Sequence, residues 1–227
     1  MAGVGGTRQC DWWFAYTEKS ARVVREDIGF PPEQITTVNN AVNSEQLSNA
    51  LRDLTPDARR NARESLGIYS DNVCIFVGGM YKNRHHDKRL PFLIEACVAI
   101  RRQIPDFEMI FIGGGPEAHV VHDAAAIHPW IHDLGIKKGT ESIPFWAISK
   151  LLLVPGAVGL VILDSLALGV PLVTTNDPCH GPEIEYLRNN HNGLLLNDWQ
   201  NPSAYAALVV SLLRDEPTRL RLATECH

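Results

Sequence analysis

Six short apolar runs recur between residues 72 and 196, each followed by a polar or glycine-bearing break and then a stretch with helical spacing. They read VCIFVG from Val73, EMIFIG from Glu108, WIHDL from Trp130, LLLV from Leu151, PLVTT from Pro171 and GLLL from Gly193. Runs this short, bounded by turn residues, are strands rather than helices. The spacing predicts helices over residues 90–103, 117–127, 145–149, 159–168 and 182–188 between them, and two more over 203–214 and 217–224. Alternation of this kind predicts the α/β class: a doubly wound, parallel, six-stranded Rossmann-like sheet.

The front of the chain is patterned differently. WWFAY from Trp12, a helix over 18–27 behind Thr17 as its cap, and a strand over 35–38 after Pro31-Pro32 give strand, helix, strand. The polar stretch 39–43 is punctuation and divides the chain into 1–43 and 44–227. Beyond it lie helices over 44–51 and, with Thr55 as cap and Pro56 in the first helical position, to about residue 67. One helix and two short strands cannot bury Trp12, Trp13 and Phe14. These three are expected to form an exposed apolar patch or to be covered by a partner.

Residues 151–173 carry one charge and are long enough to cross a bilayer. Pro155-Gly156, Gly169-Val170-Pro171 and the central Asp164 argue against that, since a charge at mid-membrane costs about 3 kcal/mol or more. A parallel strand covered on both faces, a tight turn and a buried helix explain the same residues. That turn would present the backbone amides of Val158, Gly159 and Leu160 at a helix N-terminus, where phosphate binds. Asp164, in so apolar a segment, needs a partner: either local hydrogen bonds or a ribose diol at the sheet edge.

Composition narrows the classes. The chain has 227 residues, 45% of them hydrophobic, ample for a core. A net charge of −5 with both signs dispersed gives no footprint for nucleic acid. Five cysteines without paired spacing predict a reduced, cytoplasmic setting. The first residues, MAGVGGT, show no secretion or transit signal.

In a doubly wound sheet ligands bind beyond the carboxyl ends of the strands. Of the four segments there, Gly78-Gly79-Met80 and Gly113-Gly114-Gly115-Pro116-Glu117 carry a glycine pair and a run and Pro155-Gly156 a single glycine, with Asp177–Glu183 the fourth. Two rival chemistries have some support. Gly113-x-Gly115-x-x-Ala118 with Asp133 after the next strand outlines a nicotinamide dinucleotide site, although it falls on the second strand of the unit and puts Glu117 where pyrophosphate would sit. His119, His122 and Asp123 lie on one helix, with His85, His86, His128 and His132 elsewhere, but lack a further ligand at metal-binding spacing. Nucleophilic catalysis has none: Ser165 falls inside the buried helix and there is no G-x-S-x-G elbow.

Taken together, the motifs resemble the carboxyl-terminal half of a two-domain GT-B-type enzyme of glycosyltransferase family 4. VGGM with Lys88 is similar to the family's V-G-R-L turn and its lysine loop, and GGGPE to its G-D-G-P-E turn. GAVGLVILDSLALGVPLVTT resembles E-G-F-G-L-x-x-L-E-A-M-A-x-G-x-P-V-V-A-T, and Gly181-Pro182-Glu183-Ile184 with Asn192 to Leu196 resembles G-I-P-E followed by N-G-L-L-V. The segment ending in NNAVN resembles the close of the family's first domain and its hinge. The resemblance implies a donor-binding fragment, or one half of a split enzyme, that transfers a sugar from a nucleotide sugar with retention and without an essential metal or other cofactor. The acceptor would belong to cell-envelope or capsule polysaccharide assembly and be bound by a missing amino-terminal domain or complementary subunit, with peripheral membrane association of the full enzyme. It implies Lys88 as the catalytic cation, with Lys82 and Arg84 as substitutes, and Gly78, Gly79, Lys82, Gly115, Gly156, Val158, Gly159, Leu160, Asp164 and Glu183 around the donor. There are two departures: Gly156 stands where the family has its first acid, and Gly79 where it has an arginine. One subgroup tolerates P-G-x-V-G-L in place of that acid. A non-catalytic nucleotide-sugar binding module is the alternative from another class, and an NAD-dependent oxidoreductase a third.

Overall fold

The computed structural model describes residues 10–83 and 87–226. The first unit is β1 (Trp13–Ala15), α1 (Glu18–Glu26) and β2 (Ile35–Thr37). Its strands are parallel, Trp13 opposite Ile35 and Ala15 opposite Thr37. Thr17 caps α1 as expected, its hydroxyl oxygen accepting from the Ser20 amide at 3.3 Å. The strands are shorter than the apolar run suggests, because WWFAY has only one neighbour to pair with.

Two helices follow, α2 (Ser44–Arg52) and α3 (Pro56–Glu64). Asn43 and Thr55 cap them through the Gln46 and Ala58 amides. The main unit then runs β3 (Val73–Gly79), α4 (Leu90–Gln103), β4 (Glu108–Gly114), α5 (Ala118–Ile127), β5 (Ile131–Asp133), α6 (Ile143–Trp146), β6 (Leu151–Leu153), α7 (Val161–Leu168), β7 (Leu172–Thr175), β8 (Gly193–Leu196), α8 (Pro202–Arg214) and α9 (Glu216–Thr224). The sheet order is β5-β4-β3-β6-β7-β8, parallel throughout. This is the expected doubly wound sheet, and its order reverses between β3 and β6. That crevice is the topological switch point, where such sheets place their ligands.

The strands are buried on both faces: Val73–Phe76, Met109–Ile112 and Leu151–Leu153 are essentially sealed from solvent. Their continuous apolar pattern follows from that double burial. No helix among the described residues is long and apolar enough to cross a membrane.

Several boundaries differ from the pattern, among them α3, which ends at Glu64 and not near Gly67, and three other differences are informative. The short helix expected over 145–149 is α6, starting at Ile143 behind a 3₁₀ turn (Gly139–Ser142). The helix after Gly159 begins at Val161, because the Ile162 and Leu163 amides bond three residues back, to Gly159 and Leu160. Most consequential, the segment from Pro182 is a 3₁₀ turn (Pro182–Tyr186), not a helix to Arg188. The Arg188 amide is taken by the Asn192 side chain at 2.8 Å and the Asn192 amide group donates to the Tyr186 carbonyl, which ends the helical run.

Candidate functional site

At the switch point the carboxyl end of β3 faces the turn after β6. The backbone is packed so closely there that side chains are excluded. A Cβ on Gly113 would lie 1.9 Å from the Gly78 carbonyl oxygen, and one on Gly115 would lie 2.5 Å from that of Met80. Gly113 and Gly115 also have φ of +151° and +147°, open to glycine alone. Glycine repetition in VGGM and GGGPE is therefore a packing requirement between two neighbouring strand ends. The Met80 amide donates to the Gly114 carbonyl and the Glu117 amide to that of Met80, so the two motifs form one ledge.

The positions where the family resemblance lacks a side chain are filled from elsewhere. A Cβ on Gly156 would fall 2.2 Å from the Asp87 carbonyl oxygen and 2.7 Å from the Lys88 carbonyl carbon. The Ala157 amide donates to Asp87 at 2.8 Å, so the loop carrying Lys88 is laid directly on the Pro155-Gly156 turn. A Cβ on Gly79 would fall 2.2 Å from the Tyr81 ring, which covers that residue. Arg89, next to Lys88, is pinned by cation–π contacts with Phe92 and Trp199 and lies 3.8 Å from the buried Asp177.

Lys88 is half-buried, and its ammonium donates to the Ala157 carbonyl. Burial lowers its pKa, opposed by the nearby Glu183 carboxylate. Glu183 is itself only 8% exposed. The structure therefore brings Gly79, Gly156, Lys88 and Glu183 to one crevice. Lys82 stands exposed on the loop after β3, and Arg84, His85 and His86 lie outside the described residues.

The three amides of the turn before α7 are not equivalent. Val158 donates to His180 Nδ1 at 3.1 Å, while His180 Nε2 lies 2.6 Å from the Thr175 carbonyl oxygen. The carbonyl requires Nε2 to carry the proton, so Nδ1 accepts and the ring is the neutral tautomer. Burial lowers the His180 pKa and favours that form. The Gly159 and Leu160 amides find no acceptor among the described residues. One turn further on, Asp164 is half-buried and its carboxylate has no hydrogen bond or ion pair among those residues. Its pKa is raised to about 6, through burial alone.

Sequence reasoning missed three participants. His180 occupies an amide of the expected phosphate turn, Tyr81 covers Gly79, and Ile136 stands over Gly114. Ile136 is 68% exposed although apolar, and with Lys137 it walls a cleft of about 270 Å³ floored by Gly78, Gly79, Gly113 and Gly114. An apolar residue after a strand end was the only sign in the sequence. Residues of the rival readings are engaged elsewhere: Asp133 accepts from the Gly135 amide, and His119 Nδ1 sits 3.1 Å from the Pro116 carbonyl oxygen. Among the described residues no three His, Cys, Asp or Glu side chains converge as metal ligands.

The family described as "Glycosyl transferases group 1" matches residues 71–215, more than half of the chain. Among curated proteins, the D-inositol 3-phosphate glycosyltransferase of Corynebacterium urealyticum is 28% identical over 183 residues, covering 74% of this chain and 41% of that protein. Spore coat protein SA of Bacillus subtilis is 26% identical over 187 residues, covering 73% and 45%. Among solved structures, Anabaena HepE in complex with UDP superposes with a TM-score of 0.76 at 17% identity, covering 97% of this chain and 58% of that one. The fold is thus that of a GT-B glycosyltransferase half, and the chain spans about half the length of the curated relatives it matches. With the family matched across its glycine ledge, its turn and its switch point, the chain belongs to the glycosyl transferases group 1 family.

Proposed function

We propose that this chain is the donor-binding part of a glycosyltransferase, holding a nucleoside diphosphate sugar at the switch point. One arrangement carries the reading: two unengaged amides, at Gly159 and Leu160, precede a half-buried, unpaired carboxylate, Asp164, on the same short helix. Amides at a helix N-terminus suit a diphosphate, and a carboxylate without a partner suits a ribose diol. The glycine-floored cleft beside Ile136 would take the flat base. Lys88 would neutralise charge developing on the departing diphosphate, a transition-state role. Support comes from the family and from HepE, solved with UDP and with UDP-glucose.

The reaction we propose is transfer of the sugar to an acceptor with retention and without an essential metal, the acceptor being a cell-envelope or capsule polysaccharide precursor held by a second domain or subunit. The site favours this over a purely non-catalytic module because Lys88 stands in the crevice with its cationic head directed at the turn.

Titration calorimetry with UDP, GDP and NAD in metal-free buffer tests the reading. One nucleoside diphosphate should bind, and Asp164→Ala should weaken it by about 1–3 kcal/mol, the worth of a hydrogen bond to a charged group. Binding of NAD alone, or unchanged affinity in the variant, would overturn it.

A further inference from the structure

We propose that Asn40 is a positioning residue for the donor site, holding the Glu183 carboxylate away from Lys88 so that the lysine charge stays available to a diphosphate. The inference rests on the donor-site reading above. Its basis is the 3₁₀ turn Pro182–Tyr186, which contacts both α7 and α1 and bonds Asn40 through Glu183 and Tyr186. Asn40 Nδ2 donates to Glu183 Oε1 at 2.8 Å, the one hydrogen bond that this carboxylate accepts among the described residues. Asn40 is fixed in turn: its amide donates to the Tyr186 hydroxyl at 2.9 Å, and Asn39 before it is left-handed with φ +57°.

A buried carboxylate with a single donor keeps most of its acceptor capacity unmet. Glu183 and Lys88 meet the same stretch of backbone: the Lys88 ammonium donates to the Ala157 carbonyl and the Gly181 amide, beside Glu183, to the Val158 carbonyl, yet among the described residues the two charged groups make no ion pair. On its other side the carboxylate is packed against Gly181, where a Cβ would lie 2.5 Å from Oε2. Take away the Asn40 amide, and the remaining way to compensate Glu183 is to close on Lys88. That pair would cancel the charge offered to the ligand. Of the crevice residues, Glu183 is the one that Asn40 bonds among the described residues, so Asn40 acts through that carboxylate.

The test is a double-mutant cycle read by UDP calorimetry, with circular dichroism to verify folding. Asn40→Ala should weaken UDP binding on the order of 3–10-fold, the range of one hydrogen bond. Glu183→Gln keeps an acceptor but removes the charge, and in that background Asn40→Ala should have no effect beyond about twofold. A merely structural Asn40 would lose the same affinity in both backgrounds, which would overturn the inference, as would Asn40→Ala binding like the wild type. A pH profile gives a second readout. The alkaline limb of binding reports Lys88, which Glu183 faces from the 3₁₀ turn and His180 from the loop before it. That limb should move to higher pH in Asn40→Ala and to lower pH in Glu183→Gln; movement of both the same way would overturn the inference. Should Asn40→Ala not fold, Asn40→Leu is near-isosteric, removes the same donor without adding a charge and should weaken binding in the same way. Wild-type protein that binds neither UDP nor GDP would overturn the donor reading together with this one. Wild-type binding with a failed cycle would remove only the role of Asn40.

Discussion

The six-stranded unit and the strand-helix-strand unit before it are both parallel β-α-β constructions, yet they are held together by different physics. In the large unit Phe76, Phe107, Phe111 and Trp146 are sealed in one core, and the helices cover both faces of the sheet. In the small unit Trp12 is 48% exposed, Phe14 64%, and Tyr16, Val23 and Val38 also face solvent. Trp13 is half-buried edge-on against Phe30, and Trp12 donates its indole N–H to Thr36 across the two-stranded sheet. Of the three residues expected to form an exposed patch, Trp12 and Phe14 are exposed and Trp13 is half-buried within the unit. Two strands and one helix bury too little to fold alone, so the small unit depends on its seat. That seat is polar: Glu185 accepts from the Lys19 amide, Glu183 from Asn40, and the Tyr186 hydroxyl accepts from the Asn40 amide.

Removing a large side chain from each unit should expose the difference most strongly. Phe111→Ala opens a cavity between β4 and its neighbours and should cost about 3–5 kcal/mol in denaturant unfolding. Phe14→Ala removes a ring that is mostly in water and should change stability by no more than about 0.5 kcal/mol. A comparable loss at Phe14 would mean that the small unit is packed far better than its exposure indicates.

The next effect is at Asp164, where the large unit departs from its own apolar rule. Its pKa is raised from the ordinary value of 3.8 to about 6, so the folded state binds the proton more tightly than the unfolded chain does. Stability from this group is therefore present below about pH 4 and lost as pH rises through about 6. Asp164→Asn should stabilise the protein at pH 7 by roughly 1 kcal/mol, allowing for solvent screening at a half-buried site, and by nothing near pH 4. The same change should weaken UDP binding and flatten its decline below pH 6, because only the ionised carboxylate accepts from both ribose hydroxyls. Thermal melts at the two pH values, with calorimetry alongside, check both halves. A variant that gains no stability at pH 7 would show that Asp164 is not the strained group its surroundings imply.

How far the sequence could be read follows the same division. The sheet was legible because its strands are apolar on both faces and punctuated by glycine and proline, a signal each strand carries by itself. The ledge was legible as motifs, although not as packing: nothing local indicates that Gly113 must clear the Gly78 carbonyl or that Gly156 lies beneath Asp87. PEIEYLR has helical composition and predicts a helix from Pro182, whereas the end of the 3₁₀ turn that forms there is set by Asn192, several residues away. His180 is silent in the sequence for a similar reason. Its two partners, Val158 and Thr175, belong to different strand ends, and only the closed sheet brings them to opposite sides of one ring.

The smallest effect concerns the seat of α1. Glu185 is exposed, but its carboxylate accepts from the Lys19 amide at 2.8 Å, in the first turn of α1 and beside the Thr17 cap. An acid there satisfies one of the helix's free amides and meets the positive end of its dipole. Glu185→Gln keeps the acceptor and removes the charge, so the free energy of opening α1 locally should fall by only about 0.5 kcal/mol at low salt and less at high salt, with global stability unchanged. Amide hydrogen exchange resolves what a melt cannot. Because the small unit has little core to resist opening, that half kilocalorie should roughly double exchange along α1 while leaving β3 and β4 unchanged. Equal acceleration in both units would show that they open together, and the contrast between a packed body and a polar-seated appendage would then fail.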